Sequence, residues 1–170
     1  MYSFFGARHV FGSHHRQRTI WSFQANLDGL QSVPPNASPA FGTADATLND
    51  VTGAFSITSG TYQDLLGGAT AVLLNDGPPG TNGPLIMALT LDTPGAATGT
   101  FSGGGVIGSP TQVSDVIAGN GYIRIASQVF PSGEIRGQLF QVPEPSSVIL
   151  LLLGSLGLVA AAQRRVRRTR

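Results

Sequence analysis

Apolar and polar residues alternate with a period of two along much of the chain between residues 23 and 140. At the start of this region Phe23, Ala25 and Leu27 are separated by single polar residues. Because successive side chains of a strand point to opposite faces, this pattern predicts strands with one buried and one solvated face. Similar alternation covers residues 44–48, 54–57, 98–101, 122–126 and 135–140.

Two continuous apolar runs, Ala69–Leu74 and Leu85–Leu91, predict further strands that are buried on both faces. Clusters of Gly, Pro, Asn and Asp separate the segments and predict turns. A single helical turn is expected at Ser114–Ala118. About eight short strands at intervals of roughly 10–15 residues favour an all-β fold, an antiparallel Greek-key sandwich or barrel.

The charges of the chain are unevenly distributed. Residues 23–145 hold all nine acids and two arginines, Arg124 and Arg136, whereas the other eight arginines lie in the first 18 and the last seven residues. The central region therefore carries a net charge of −7, and no nucleic-acid partner is expected. The chain has no cysteine, which excludes a disulfide framework, thiol catalysis and a zinc–thiolate site.

An apolar segment, residues 146–162, follows a Val-Pro-Glu-Pro box near the C-terminus. Its 17 residues reach the lower limit for a helix that crosses a bilayer core of about 30 Å. We therefore predict a C-terminal transmembrane helix, the alternative being a buried core helix. The tail at 163–170 would hold its end at the cytoplasmic face by the positive-inside rule, and the residues of this topology anchor are Arg164, Arg165, Arg167 and Arg168.

The order of box, apolar segment and arginine tail over residues 142–170 resembles the PEP-CTERM sorting signal of Gram-negative bacteria, also called the ice-binding protein C-terminal motif. The resemblance implies recognition by an exosortase-type enzyme, with a box at 142–147 whose tag is Val142, Pro143, Glu144 and Pro145. It also implies a precursor in the inner membrane, followed by transfer to the periplasm, cell surface or extracellular matrix. Regularly spaced Thr-x-Thr rows do not occur, so the alternative name predicts no ice binding.

Residues 1–22 lack the apolar run of about 7–15 residues that a signal peptide requires. We interpret them as a leader that is either disordered or the product of an incorrectly assigned start, with the signal further upstream. The leader contains His9, His14 and His15. His14 and His15 are adjacent and face different ways on a helix or strand, so no metal site is predicted.

The central region, residues 23–141, resembles the CHRD domain, a family first recognised in chordin. The resemblance rests on the opening segment 23–29, on Val33-Pro34-Pro35, on the step at 42–44, on a Gly-Pro-rich loop at 77–84 and on a closing segment at 133–139. The closing segment begins with the structural family motif Gly133, Glu134, Ile135, Arg136 and Gly137. The family's distant similarity to the Cu/Zn superoxide dismutase sandwich supports an all-β fold by analogy.

Three positions depart from the family pattern. Where the family usually carries histidines, this chain has Val72, Leu74 and Ala126. Histidines there could converge on zinc or copper, but aliphatic side chains cannot, so no cofactor or metal is predicted.

Other chemical motifs favour structural interpretations. The glycine-rich stretch 103–108 matches a dinucleotide fingerprint, but its strand-like surroundings favour a β-turn. Glu134 and Arg136 are expected on one face of a strand, as an ion pair that fixes register and not as a catalytic acid with its cation. The Asn-Asp pairs at 49–50 and 75–76 predict turns, with loop calcium as the alternative.

These observations together predict an exported, non-enzymatic CHRD-domain protein with a structural or binding role at the cell surface or matrix. Two alternatives remain open at this point. One is a degenerate relative of a metal-dependent oxidoreductase, and the other is a module that binds extracellular polysaccharide.

Overall fold

A computed structural model describes residues 19–143. Residues 1–18, which include most of the predicted leader, and the predicted transmembrane helix and arginine tail lie outside the described residues. Within 19–143 no helix is long and apolar enough to cross a membrane. The elements are β1 (Ile20–Asp28), β2 (Phe41–Asn49), β3 (Ala54–Gln63), β4 (Ala69–Asp76), β5 (Leu85–Leu91), β6 (Gly99–Ser102), β7 (Gly104–Val106), α1 (Pro110–Ile117), β8 (Gly121–Ser127), β9 (Ile135–Gln138) and β10 (Phe140–Gln141).

Eight of the strands form a closed antiparallel barrel. Their spatial order is β1-β2-β3-β6-β5-β4-β8-β9, and β9 pairs with β1 to close the sheet. The connection from β3 to β4 skips two neighbouring strands, β6 and β5, which is a Greek-key arrangement. The two remaining strands extend this sheet, since β7 pairs with β3 and β10 pairs with β1. The predicted all-β Greek-key fold is confirmed in its barrel form.

The barrel interior is filled by the apolar members of the alternating segments. On β1 the side chains of Phe23, Ala25 and Leu27 are buried, while Gln24 and Asn26 between them are exposed. Small barrels of this kind have a packed core and no channel, because inward-facing side chains from all strands meet at the axis. The larger side chains of this core include Leu48, Leu74, Phe101, Ile123, Ile125, Ile135 and Leu139.

The prediction that the two continuous apolar runs are buried on both faces was wrong. On β5, Leu89 is the one residue of the strand that is buried, and Leu85 is 53% exposed. On β4, Val72 and Leu74 are buried but Thr70 is exposed. A strand in a barrel wall has one face toward the core, and its other face is buried where a loop or helix covers it.

The helix is longer than the single turn expected at Ser114–Ala118. It starts at Pro110, where the missing backbone N–H costs nothing because the first helical N–H groups have no intrahelical partner. Ser109 caps it by accepting a hydrogen bond from the Gln112 N–H. Val113 and Val116 face the core.

The barrel closes where the chain returns to β1. Asp28 pairs with Arg136 on β9 and Gln24 pairs with Phe140 on β10, so the register is the same on both sides of Leu139. Gly137 lies at this seam, and a Cβ atom there would lie 2.6 Å from the Asn26 carbonyl oxygen. Strand closure at this point therefore requires glycine.

We expect Gly137→Ala to lower the free energy of unfolding by about 1–3 kcal/mol, because the added methyl group separates the strands at the seam. Gly108→Ala is the matched control, since a Cβ there would meet no atom within 4 Å. Urea denaturation of the full chain checks this. An equal effect of both substitutions would show that the seam is not tightly packed.

Candidate functional site

The closing segment carries two charged side chains that are both removed from solvent. Glu134 is fully buried and Arg136 is 2% exposed. Arg136 is opposite Arg124 of β8 and Asp28 of β1 in the ladder. The loops that connect β1 to β2 (residues 29–40) and β4 to β5 (residues 77–84) supply most of their hydrogen-bond partners.

Arg136 holds the 77–84 loop through backbone carbonyl groups. Its guanidinium donates to the carbonyl oxygens of Thr81 and Pro78, each at 2.9 Å, and to the side-chain oxygen of Gln138 at 3.1 Å. Gln138 in turn donates to the carbonyl oxygen of Gly77. The guanidinium carbon lies 3.6 Å from the centroid of the Tyr122 ring, a cation–π contact. The loop is thereby fixed at both its start and its middle.

Burial is the main influence on the ionisation of Arg136. Desolvation lowers the pKa of its guanidinium below the usual value, and the positive charge of Arg124 lowers it further. The nearby Tyr122 raises the pKa and so offsets part of this shift. Arginine stays protonated in spite of such a shift, so the site contains a buried positive charge.

Glu134 holds a different pair of segments. Its Oε1 atom accepts hydrogen bonds from the Ser38 hydroxyl at 2.5 Å and from the Leu66 backbone N–H at 2.7 Å. Its carbonyl oxygen accepts from the side chains of Ser32 and Asn36. The 29–40 loop and the β3–β4 connection are therefore anchored to the start of β9.

The prediction of an ion pair between Glu134 and Arg136 was wrong. The Glu134 carboxylate is bonded to Ser38 and Leu66, whereas the Arg136 guanidinium is bonded to the 77–84 loop. The flanking members of the motif serve the fold: Ile135 lies in the core, and Gly133 adopts a left-handed φ of 126° with its backbone packed on the aliphatic stem of Arg124.

A pocket of about 180 Å³ lies between the 29–40 and 77–84 loops. Arg136 is the charged residue among those that line it, and Leu30, at the mouth, is 76% exposed. The other lining residues are uncharged: Gln31, Ser32, Val33, Pro35, Pro79, Gly80 and Gln138. The closing segment thus contributes a buried cation to a loop-lined pocket.

The three positions that depart from the family's histidine pattern are all buried but do not share a face. Val72 and Leu74 lie in the barrel core, opposite Ile125 and Ile123. Ala126 is opposite Ala71, one position out of phase, and so belongs to the other face of the sheet. Among residues 19–143 no group of three or more His, Cys, Asp or Glu side chains is placed to hold a metal. The three histidines lie outside the described residues.

The remaining motifs have structural roles. Residues 104–106 of the glycine-rich stretch form β7, antiparallel to β3, which does not fit a dinucleotide fingerprint in a parallel βαβ unit. Asn49 accepts hydrogen bonds from the N–H groups of Val51 and Thr52, as in an Asx turn. At the start of the 77–84 loop, desolvation and then the negative charge of Asp115 raise the pKa of the Asp76 carboxyl.

Part of the predicted sorting box is visible. The Val142 N–H donates to the Ser22 carbonyl oxygen at 2.9 Å and so continues the ladder of β10. Pro143 follows without an N–H group. Glu144, Pro145 and the arginines of the predicted topology anchor lie outside the described residues.

The fold and the site define a Greek-key barrel domain with a pocket between two loops. Both loops are anchored by Glu134 and Arg136 of the closing segment. A family model of the CHRD domain matches residues 23–139, and the chain belongs to this family. A model of the PEP-CTERM protein-sorting motif matches residues 141–168. This motif implies export, sorting to the envelope of a Gram-negative bacterium and recognition by an exosortase-type enzyme, whereas the ice-binding label receives no support. No curated protein and no solved structure matches the chain.

We expect Arg136→Met to lower the free energy of unfolding by at least about 2 kcal/mol, because the carbonyl groups of Pro78 and Thr81 lose a charged donor. Hydrogen exchange of the 77–84 backbone should accelerate as well. Arg124→Met is the matched control, since the Arg124 guanidinium donates to a carbonyl of a different loop, that of Ser132. Equal exchange of the 77–84 loop in both variants would contradict the anchoring role of Arg136.

Proposed function

We propose that this chain is an exported CHRD-domain protein that an exosortase-type system sorts to the cell surface or matrix, where the barrel has a non-enzymatic binding role. The observation that carries the sorting part is the match to the sorting motif at 141–168, directly after the CHRD match at 23–139. In this proposal the precursor is held in the inner membrane by residues 146–162.

The binding role is supported by the pocket between the 29–40 and 77–84 loops. Both loops are held by side chains of the closing segment, so the pocket is preformed. Preformed pockets with a few polar groups among apolar ones are typical of small-ligand sites. An extracellular polysaccharide is a second candidate partner, which would place a single sugar unit in the pocket.

The proposal of a non-enzymatic role is supported by what occupies the family's histidine positions. Val72, Leu74 and Ala126 offer no metal ligand, and Arg136 and Glu134 are both engaged by loop groups. The competing function is a degenerate metal-dependent oxidoreductase.

The sorting proposal is tested by expressing the full chain behind a cleavable signal peptide, because residues 1–22 lack the apolar run of one. The host is a Gram-negative bacterium with an exosortase, and mass spectrometry determines the mature C-terminus. We expect a chain that ends near residues 143–147 outside the cytoplasm. Glu144→Gln should leave the chain full-length, and the control Thr169→Ala should be processed as wild type. An intact Arg170 on cytosolic wild-type protein would refute sorting.

The non-enzymatic proposal is tested by elemental analysis of the purified full chain. We expect less than about 0.1 equivalent of zinc or copper, because aliphatic side chains at positions 72, 74 and 126 provide no ligands. A stoichiometric metal that is retained after dialysis would favour the oxidoreductase alternative.

A further inference from the structure

The buried charge of Arg136 is not neutralised by a carboxylate among the described residues. All three hydrogen bonds of its guanidinium go to uncharged oxygens. Asp28 is opposite Arg136 in the ladder, but its carboxylate accepts hydrogen bonds from Gln31. A guanidinium has five N–H donors, so two donors of Arg136 have no acceptor in these contacts.

The other polar side chains that line the pocket already make hydrogen bonds. The Gln31 amide donates to the Asn26 carbonyl and to Asp28, and its oxygen accepts from the Gln138 backbone N–H. The Ser32 hydroxyl donates to the Glu134 carbonyl oxygen. The Gln138 amide donates to the carbonyls of Gly77 and Gly119. Among the side chains that line the pocket, the N–H donors without an acceptor therefore belong to the guanidinium of Arg136.

We propose that this pocket binds a carboxylate group of a small ligand, with Arg136 as the recognising cation. This inference rests on the proposed binding role of the barrel and names its ligand class. The donors of Arg136 that these contacts leave unused are Nε–H and one Nη1–H, and a carboxylate oxygen can accept from either in a charge-assisted hydrogen bond. The apolar side chains of Leu30, Val33, Pro35 and Pro79 contact the aliphatic part of the ligand at the pocket wall.

The surrounding charge selects among anionic ligands. Residues 19–143 contain eight acids and two arginines, a net charge of −6. A polyanionic chain would be repelled by this surface, whereas a ligand with one carboxylate and few other charges meets little repulsion beyond the pocket. The expected ligand is therefore a small monocarboxylate, either an aliphatic acid or a single sugar acid, and not an acidic polymer.

The test uses the full chain in a non-ionic detergent, with ¹⁵N-labelled arginine and constant ionic strength. Propionate and glucuronate are titrated against their uncharged counterparts propionamide and glucose, and the Nε–H signal of Arg136 is followed by NMR. Its assignment comes from its loss in Arg136→Lys. We expect a saturable shift for at least one carboxylate, with a dissociation constant on the order of 1 mM, and no saturable shift for the uncharged counterparts. The probe that gives the tighter binding identifies the source of the carboxylate.

Two variants of Leu30, at the exposed mouth of the pocket, differ from each other in charge and have nearly the same shape. Leu30→Glu places a competing carboxylate beside the pocket and should weaken carboxylate binding about tenfold, whereas Leu30→Gln, of nearly the same shape, should weaken it less than about threefold. Leu85→Glu, at an exposed position of β5, should leave binding unchanged because Leu85 does not line the pocket.

Two outcomes overturn the proposal: no saturable shift with either carboxylate, or equal shifts with a carboxylate and its uncharged counterpart. A loss of binding that is equal in Leu30→Glu and Leu30→Gln would also contradict recognition by charge. This test and the sorting experiment can fail independently. A chain that is processed and exported but binds no carboxylate would contradict carboxylate binding and leave the sorting proposal intact.

Discussion

The buried guanidinium of Arg136 is the constraint on which the loops of this barrel depend. A charge removed from water costs several kcal/mol unless hydrogen bonds and nearby dipoles replace its hydration. Here the replacement comes from backbone carbonyls of Pro78 and Thr81, from Gln138 and from the ring of Tyr122. If the 77–84 loop moved away, the guanidinium would lose the carbonyl oxygens of Pro78 and Thr81 as hydrogen-bond acceptors. The interaction joins two segments on which the resemblance to the CHRD domain rests, the Gly-Pro loop and the closing segment, and it links Arg136 to Thr81 at a sequence separation of 55.

Glu134 applies the same constraint to the other side of the pocket. Its carboxylate and its carbonyl oxygen together receive hydrogen bonds from the 29–40 loop, and the Leu66 N–H joins the β3–β4 connection to the same residue. Ile135, between the two charged residues, packs in the core. The closing segment therefore has a core residue between two residues that bind loops. Gly137 then allows this strand to meet β1 at the seam. One short segment thus closes the barrel, shapes the pocket and supplies its charge.

The sequence predicts those features that depend on local periodicity. The alternation around Phe23, Ala25 and Leu27 identifies β1 because the buried face of a barrel strand is read directly from a period of two. The exposure of Leu85 was not predictable, since it depends on which outer faces of the barrel the loops cover. The expected turn at Ser114–Ala118 begins four residues too late, because proline is favourable in the first helical turn and α1 starts at Pro110. The partners of Glu134 and Arg136 come from distant loops, and no local pattern specifies them; the one available signal was the joint presence of the two family segments.

The sorting motif and the barrel share residues, and this limits how the two can act. The ladder of β10 ends with the hydrogen bond from Val142 to Ser22, and the sorting motif already begins at residue 141. Cleavage after Pro143 would leave every ladder hydrogen bond of the barrel in place, whereas cleavage before Val142 would remove one. If residues 146–162 span the membrane as proposed, the three residues between Val142 and this segment cover at most about 14 Å. The folded barrel would then lie against the bilayer surface, and the sorting enzyme would have to recognise the box beside a barrel wall and not on a long free linker.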